Sequence, residues 1–163
     1  MPPYKLAKGI PVPHNTEPHQ VSIAVMARIT KAIVEVEGPV HQDEVARRVT
    51  ALFGKSRTGS IISAATLQSL RTLKASSALV EQVGYWMTPE RMSDPPVRDR
   101  SAAPISLQRA DTLSPLEIRA AFSIAQRENG TMSEDEATAA VARLLGFRRT
   151  GPDLRAAILS AIT

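Results

Sequence analysis

Apolar residues recur at threes and fours through most of this chain, the spacing of one buried helix face. Ile23, Met26, Ile29, Ile33 and Val34 make the first such stripe, which should end near Gly38-Pro39. A second helix is expected from His41 or Gln42, with Asp43 and Glu44 in its first turn, where carboxylates meet the positive end of the helix dipole. Its inward positions are Val45, Val49, Leu52 and Phe53, and Gly54 is its C-terminal stop. Thr58 is the expected N-cap of a third helix reaching about Lys74. Ile62, Ala65, Leu70 and Leu73 should face inward there, and Ser60, Ala64, Gln68 and Arg71 outward. β character is confined to the next stretch, where Val80, Val83, Tyr85 and Trp86 suit a short hairpin. Tyr85 and Trp86 are expected to pack on the helices, the alternative being a wing that stacks on a base.

The pattern restarts after a Pro-rich interval. Ser114-Pro115-Leu116-Glu117 is a helix start, with Ser114 as cap, Pro115 at the first helical position and Glu117 completing a capping box. Ile118, Ala121, Phe122 and Ala125 form its stripe. Ser133-Glu134-Asp135-Glu136 is a second capping box, opening a helix with Ala137, Val141, Leu144 and Leu145 inward and Gly146 as its stop. Thr150 is the expected cap of a last helix carrying Leu154, Ala157 and Ile158.

These two halves are copies. Residues 38–65 align with 130–157 without a gap, at an offset of 92, and eleven of 28 positions are identical. Unrelated segments of this composition would share roughly two, so this is an internal repeat. The identities include the first-turn acids, two core positions, the terminating Gly and the Arg-Thr-Gly that follows it, as a duplicated helix–turn–helix requires. The expected fold is therefore mostly α: tandem winged-helix-like three-helix units, with a short β-hairpin after the first. The expected boundaries are a Pro-rich arm at 1–20, a first unit at 21–88, a linker at 89–113 and a second unit at 114–163, its wing absent or truncated.

Composition narrows the function. With 163 residues, no cysteine and few aromatics, the chain has room for two small helical units and lacks disulfides and thiolate metal sites. No apolar run is long enough to span a bilayer, and the N-terminus lacks the apolar core of a signal peptide, so the expected location is the cytoplasm. The net charge of +4 is unevenly spread. Between Val45 and Val80 there is no acid, while Arg47, Arg48, Lys55, Arg57, Arg71 and Lys74 all fall there. Such a stretch attracts polyphosphate, unless it is simply a solvated helical surface.

No catalytic, metal or cofactor site is expected. His14 and His19 lack a third ligand. Gly54-Lys55-Ser56 resembles the end of a phosphate-binding loop, but Val49 stands where that loop needs Gly, and a helix precedes it instead of a strand. Glu90, Asp94 and Asp99 lack the Glu-x-Lys partner of a nuclease, and His41 has no supported nucleophile. For Val97-Arg98-Asp99-Arg100, charge pairing is the expected role. A helix N-terminus beside a Gly and an Arg is an anion contact. The expected nucleic-acid contacts are therefore Arg57, Thr58, Gly59, Arg71 and Lys74 in the first copy and Arg148, Arg149 and Arg155 in the second.

Val36-Glu37-Gly38-Pro39-Val40-His41, Asp43-Glu44-Val45-Ala46-Arg47-Arg48-Val49, Arg57-Thr58-Gly59, Pro95-Pro96-Val97-Arg98-Asp99-Arg100-Ser101 and the run Val141 to Gly151 together resemble a known family. It is the uncharacterised C-terminal domain of very large bacterial superfamily I helicase proteins that also carry a Vsr-like restriction-endonuclease-fold domain. The resemblance implies that the chain is part of a larger DNA-processing enzyme. It implies as partners the helicase and nuclease domains of the same polypeptide, and duplex or junction DNA without strong sequence preference. The ATPase and nuclease residues of such proteins are absent here. The rival expectation is a protein-interaction module that docks the helicase to a nuclease domain or partner, without touching nucleic acid.

Overall fold

A computed structural model describes residues 1–163 as two compact units, Leu6–Ser93 and Met1–Lys5 with Asp94–Thr163. The chain is mostly α, with seven α-helices and one small antiparallel sheet, as the apolar spacing predicts.

In the first unit, α1 (Ile23–Glu37), α2 (Gln42–Leu52) and α3 (Ser60–Ala75) pack around Ile29, Ile33, Val34, Val45, Val49 and Leu70. Ser22 caps α1 by accepting from the Val25 amide, and the His41 ring accepts from the Asp43 amide to cap α2. Ile23 departs from the expected stripe. It is the first helical residue and is 66 % exposed, while Thr30 and Glu37 take buried places instead. β2 (Val80–Gln82) and β3 (Tyr85–Met87) form the expected hairpin. A two-residue β1 (Val40–His41) joins it, giving the order β1-β3-β2. So short a strand has no period to read. It exists because Val40 pairs with Trp86 and His41 with Tyr85. Tyr85 and Trp86 are buried, Trp86 in the helical core. The short α4 (Pro89–Ser93) closes the unit.

The hairpin turn holds Val83 at φ 50° and Gly84 at φ 85°. A β-branched residue in the left-handed region is strained by about 1 kcal/mol or more, and Val83 gains no burial in return, being 78 % exposed. Val83→Asn should therefore stabilise the unit by about 0.5–1 kcal/mol. A thermal melt checks this; an unchanged or lowered Tm would show that the turn is not strained.

In the second unit α5 (Pro115–Asn129), α6 (Glu134–Leu144) and α7 (Pro152–Ile162) enclose Ile118, Ala121, Val141, Leu145, Leu154 and Ile158. The repeat is wider than sequence identity suggests. Ile23 to Pro115, Glu37 to Asn129, Gln42 to Glu134 and Leu52 to Leu144 are all steps of 92, so the first helices correspond as well. Both second helices end alike. Gly54 (φ 70°) and Gly146 (φ 82°) sit left-handed, and the next residue donates back to Thr50 O and to Ala142 O respectively.

The structure adds detail to the two Pro-rich intervals and corrects one capping box. The interval 89–113, expected as a linker, is packed: it carries α4 and two 3-10 turns, and Val97, Arg98, Arg100, Leu107, Thr112 and Leu113 are buried. The arm at 1–20 is likewise packed, with Tyr4, Ala7 and Pro18 buried. Its first five residues belong to the second unit, where Tyr4 and Asp99 exchange backbone bonds with their neighbours: the Tyr4 amide donates to Asp99 O and the Asp99 amide to Pro2 O. Glu117 does not complete a capping box. Ser114 does cap α5, accepting from the Leu116 amide, but the Glu117 carboxylate points inward to Arg98 and Arg100.

Candidate functional site

The turn between α2 and α3 opens on a groove. Arg47 and Thr50 line it from α2, Lys55, Arg57 and Thr58 from the turn, and Ser63 from α3. The wall behind it is an ion network. The Arg48 guanidinium is bidentate on the Glu37 carboxylate, with Nε to Oε2 at 2.7 Å and Nη2 to Oε1 at 2.9 Å. It also meets Glu44 at 3.0 Å, and Glu44 pairs with Arg47. Glu37 and Glu44 are fully buried, and the Ala7 amide donates a further 2.9 Å bond to Glu37. Two carboxylates thus balance Arg47 and Arg48. That leaves Lys55 and Arg57 of the turn and the exposed Asp43 of α2 as the charges facing the groove.

Of those cations, Lys55 is paired with Glu17, which also holds a 3-10 turn by a capping box with Gln20. Arg57 is exposed and makes no hydrogen bond or ion pair. Thr58 is not the cap it was expected to be. Its hydroxyl is bonded to that of Thr50 at 2.6 Å, and the chain stays extended for one more residue, so Gly59 is the N-cap, with no side-chain bond. The first amides of α3 are left to solvent, beside Arg57. The same correction holds for Thr150: Gly151 caps α7, and Pro152 at the first helical position needs no acceptor.

Arg71 and Lys74 are exposed, but far from this groove. Lys74 lies about 21 Å along α3 from Ser60 at 1.5 Å per residue. It also approaches Glu81 at 3.8 Å. Arg71 is unpartnered and continues the exposed row of Ser60, Ala64 and Gln68. The predicted first-copy residues therefore form a groove at one end of α3 and two separate cations further along.

In the second unit Arg148 and Arg149 are exposed and unpartnered. Arg155 is engaged: its guanidinium bonds Asp135 at 2.7 Å and reaches Glu134 at 3.8 Å. No three His, Asp or Glu side chains gather in a way that could hold a metal, and no helix is long and apolar enough to cross a membrane.

Reading the sequence placed Arg47 and Lys55 in the acid-free stretch without assigning them to a site, and missed Ser63 and Glu17. Only the approach of α3 and of the N-terminal arm to the turn brings those two in. A family described as a protein of unknown function (DUF3320) matches residues 16–64. That segment holds α1, α2, the turn, Glu17 and every residue of the groove named above. No curated protein and no solved structure matches the chain.

Proposed function

We propose that this chain is a nucleic-acid-binding accessory module of a helicase–nuclease protein, built as two winged-helix-like units and without catalytic activity of its own. The observation that carries the reading is the exposed cationic turn at the start of α3, with Lys55 and Arg57 facing solvent beside amides that no side chain caps. In this reading α3 lies along a groove of duplex DNA. Arg57 and Gly59 meet one phosphate run, and Arg71 and Lys74 meet another. The resemblance to superfamily I helicase proteins with a Vsr-like domain supplies the parent, and the cytoplasm is the proposed location.

Purified protein should bind unspecific duplex with roughly micromolar affinity that falls steeply between low and physiological salt. Arg57→Ala combined with Lys74→Ala should weaken that binding about ten-fold and leave the Tm unchanged. Absence of salt-sensitive binding to duplex, forked and single-stranded DNA would exclude the role. The hairpin favours a second reading, a protein contact. Its residues include Glu81 and the exposed Val83 but no cation. A wing built to meet phosphates would carry Lys or Arg.

A further inference from the structure

The two copies are not equivalent binding sites, and one side chain makes the difference. At an offset of 92, Ser63 corresponds to Arg155 and Asp43 to Asp135. In the first unit the small Ser63 leaves the space between α2 and the start of α3 open, with Asp43, Arg47, Lys55 and Arg57 around it. In the second unit Arg155 reaches from α7 to the first turn of α6, bonding Asp135 and approaching Glu134. The equivalent space is latched. The other counterparts change in the same direction. Arg47 becomes Ala139, Lys55 becomes Phe147, and the exposed Ile61 becomes Asp153 in the first turn of α7.

We infer that phosphate recognition is confined to the first unit, where the α2–α3 groove takes one phosphodiester group against Lys55 and Arg57, and that the second unit's groove is closed to anions by Arg155. Glu17 is the resident counter-ion of the open groove. It holds Lys55 in the free protein, and an incoming phosphate replaces it. The inference rests on the nucleic-acid reading for the source of the phosphate, but the anion site stands on the groove alone.

Ser63→Arg separates this from general electrostatics. The new guanidinium would face Asp43 as Arg155 faces Asp135, at an exposed position of α3 where Arg is well tolerated. It raises the net charge, so a surface that merely attracts DNA would bind more tightly. A groove that must admit a phosphate binds more weakly, by about ten-fold or more. With the full chain and a labelled duplex, Ser63→Arg should lose affinity, and Arg148→Ala with Arg149→Ala should stay within about two-fold. Glu17→Gln, which keeps an acceptor for its turn, should gain about two- to five-fold. Circular dichroism melts confirm that each variant is folded. Tripolyphosphate titrated into the isotope-labelled chain should move the amide resonances of residues 55–62 and not those of 147–154. Tighter duplex binding by Ser63→Arg, or loss of affinity only in the Arg148/Arg149 variant, would overturn the inference while leaving nucleic-acid binding intact. Tripolyphosphate shifts at 55–62 without any binding of DNA would do the reverse, keeping the anion site and removing the nucleic-acid reading. Shifts in neither segment would overturn the site itself.

Discussion

Glu117→Ala should cost the second unit about 3–5 kcal/mol, a large fraction of the stability of a small domain. Glu117 is fully buried on α5 and accepts from both Arg98 and Arg100. The Arg98 guanidinium donates Nη2 to Oε1 at 2.7 Å, and its own amide donates to Oε2 at 3.1 Å. Arg100 adds a 2.9 Å bond to Oε1. Tyr4 lies against both guanidiniums, 4.5 and 4.8 Å from its ring centre, so the N-terminal strap covers the cluster. Removing the carboxylate leaves two buried cations facing each other. A gap is also left where Glu117 stood. Burial opposes ionisation of Glu117, but Arg98 and then Arg100 outweigh it and hold the carboxyl below its ordinary value. A depressed folded pKa contributes stability that is complete above the unfolded value of about 4.3 and is lost as pH falls through the folded one. The unit should therefore weaken only on acidification below that range, and Glu117→Gln should flatten the dependence as well as lower the plateau. Urea melts followed by far-UV circular dichroism measure both. A loss under about 1 kcal/mol would mean that the cluster contributes little.

Gly146→Ala should be nearly as damaging, whereas Gly54→Ala at the matching position should not. Both glycines end a second helix in the left-handed region, at φ 82° and 70°, and a side chain there costs about 1 kcal/mol. Around Gly54 a new Cβ meets nothing within 4 Å. At Gly146 it would strike the Asp99 carboxylate and stand 2.7 Å from the backbone nitrogens of Arg100 and Ser101. That approach is structural, because the Arg100 amide donates to Leu145 O at 2.9 Å and the Ser101 amide to Asp99. Backbone cannot move aside as a flexible side chain can, so the Arg98–Arg100 segment would have to lift away from the core. We expect a loss of about 3 kcal/mol for Gly146→Ala against about 1 for Gly54→Ala. Equal losses in parallel denaturant melts would show that only the backbone conformation matters.

The corrected expectations share a cause. Thr58 is a residue type that caps helices, but a hydroxyl bonds whichever partner is nearer, and the fold brings Thr50 there. Glu117 stands in the right local frame for a capping box, yet two guanidiniums about twenty positions upstream in sequence offer it a stronger bond than an amide does. Residues 89–113 lack periodicity because they are ordered by single long-range contacts, Val97, Arg100 and Leu107 each filling a particular place. Contacts of that kind leave no period in the order of residues. The same limit hid β1 and the reach of the repeat into α1 and α5, where matching helix bounds survive with little matching sequence.

What is local and periodic could be read from the amino acids alone: the helical class, the ends of α2 and α6 at Gly54 and Gly146, the duplication, and the concentration of cations around Arg57. Those features depend on neighbours three or four positions apart, and the 3.6-residue turn writes them into the order of residues. Tertiary structure alone decided which charges are available. Arg48 looks as free in sequence as Arg57 does, but the buried Glu37 consumes it, and the pairing expected within residues 97–100 goes instead to Glu117 on α5. Ser63 and Arg155 occupy the same place in the repeat, and only the approach of α6 to α7 turns one of them into a latch. Charge is a property of residues, but an unpaired charge is a property of the packing that leaves it without a partner.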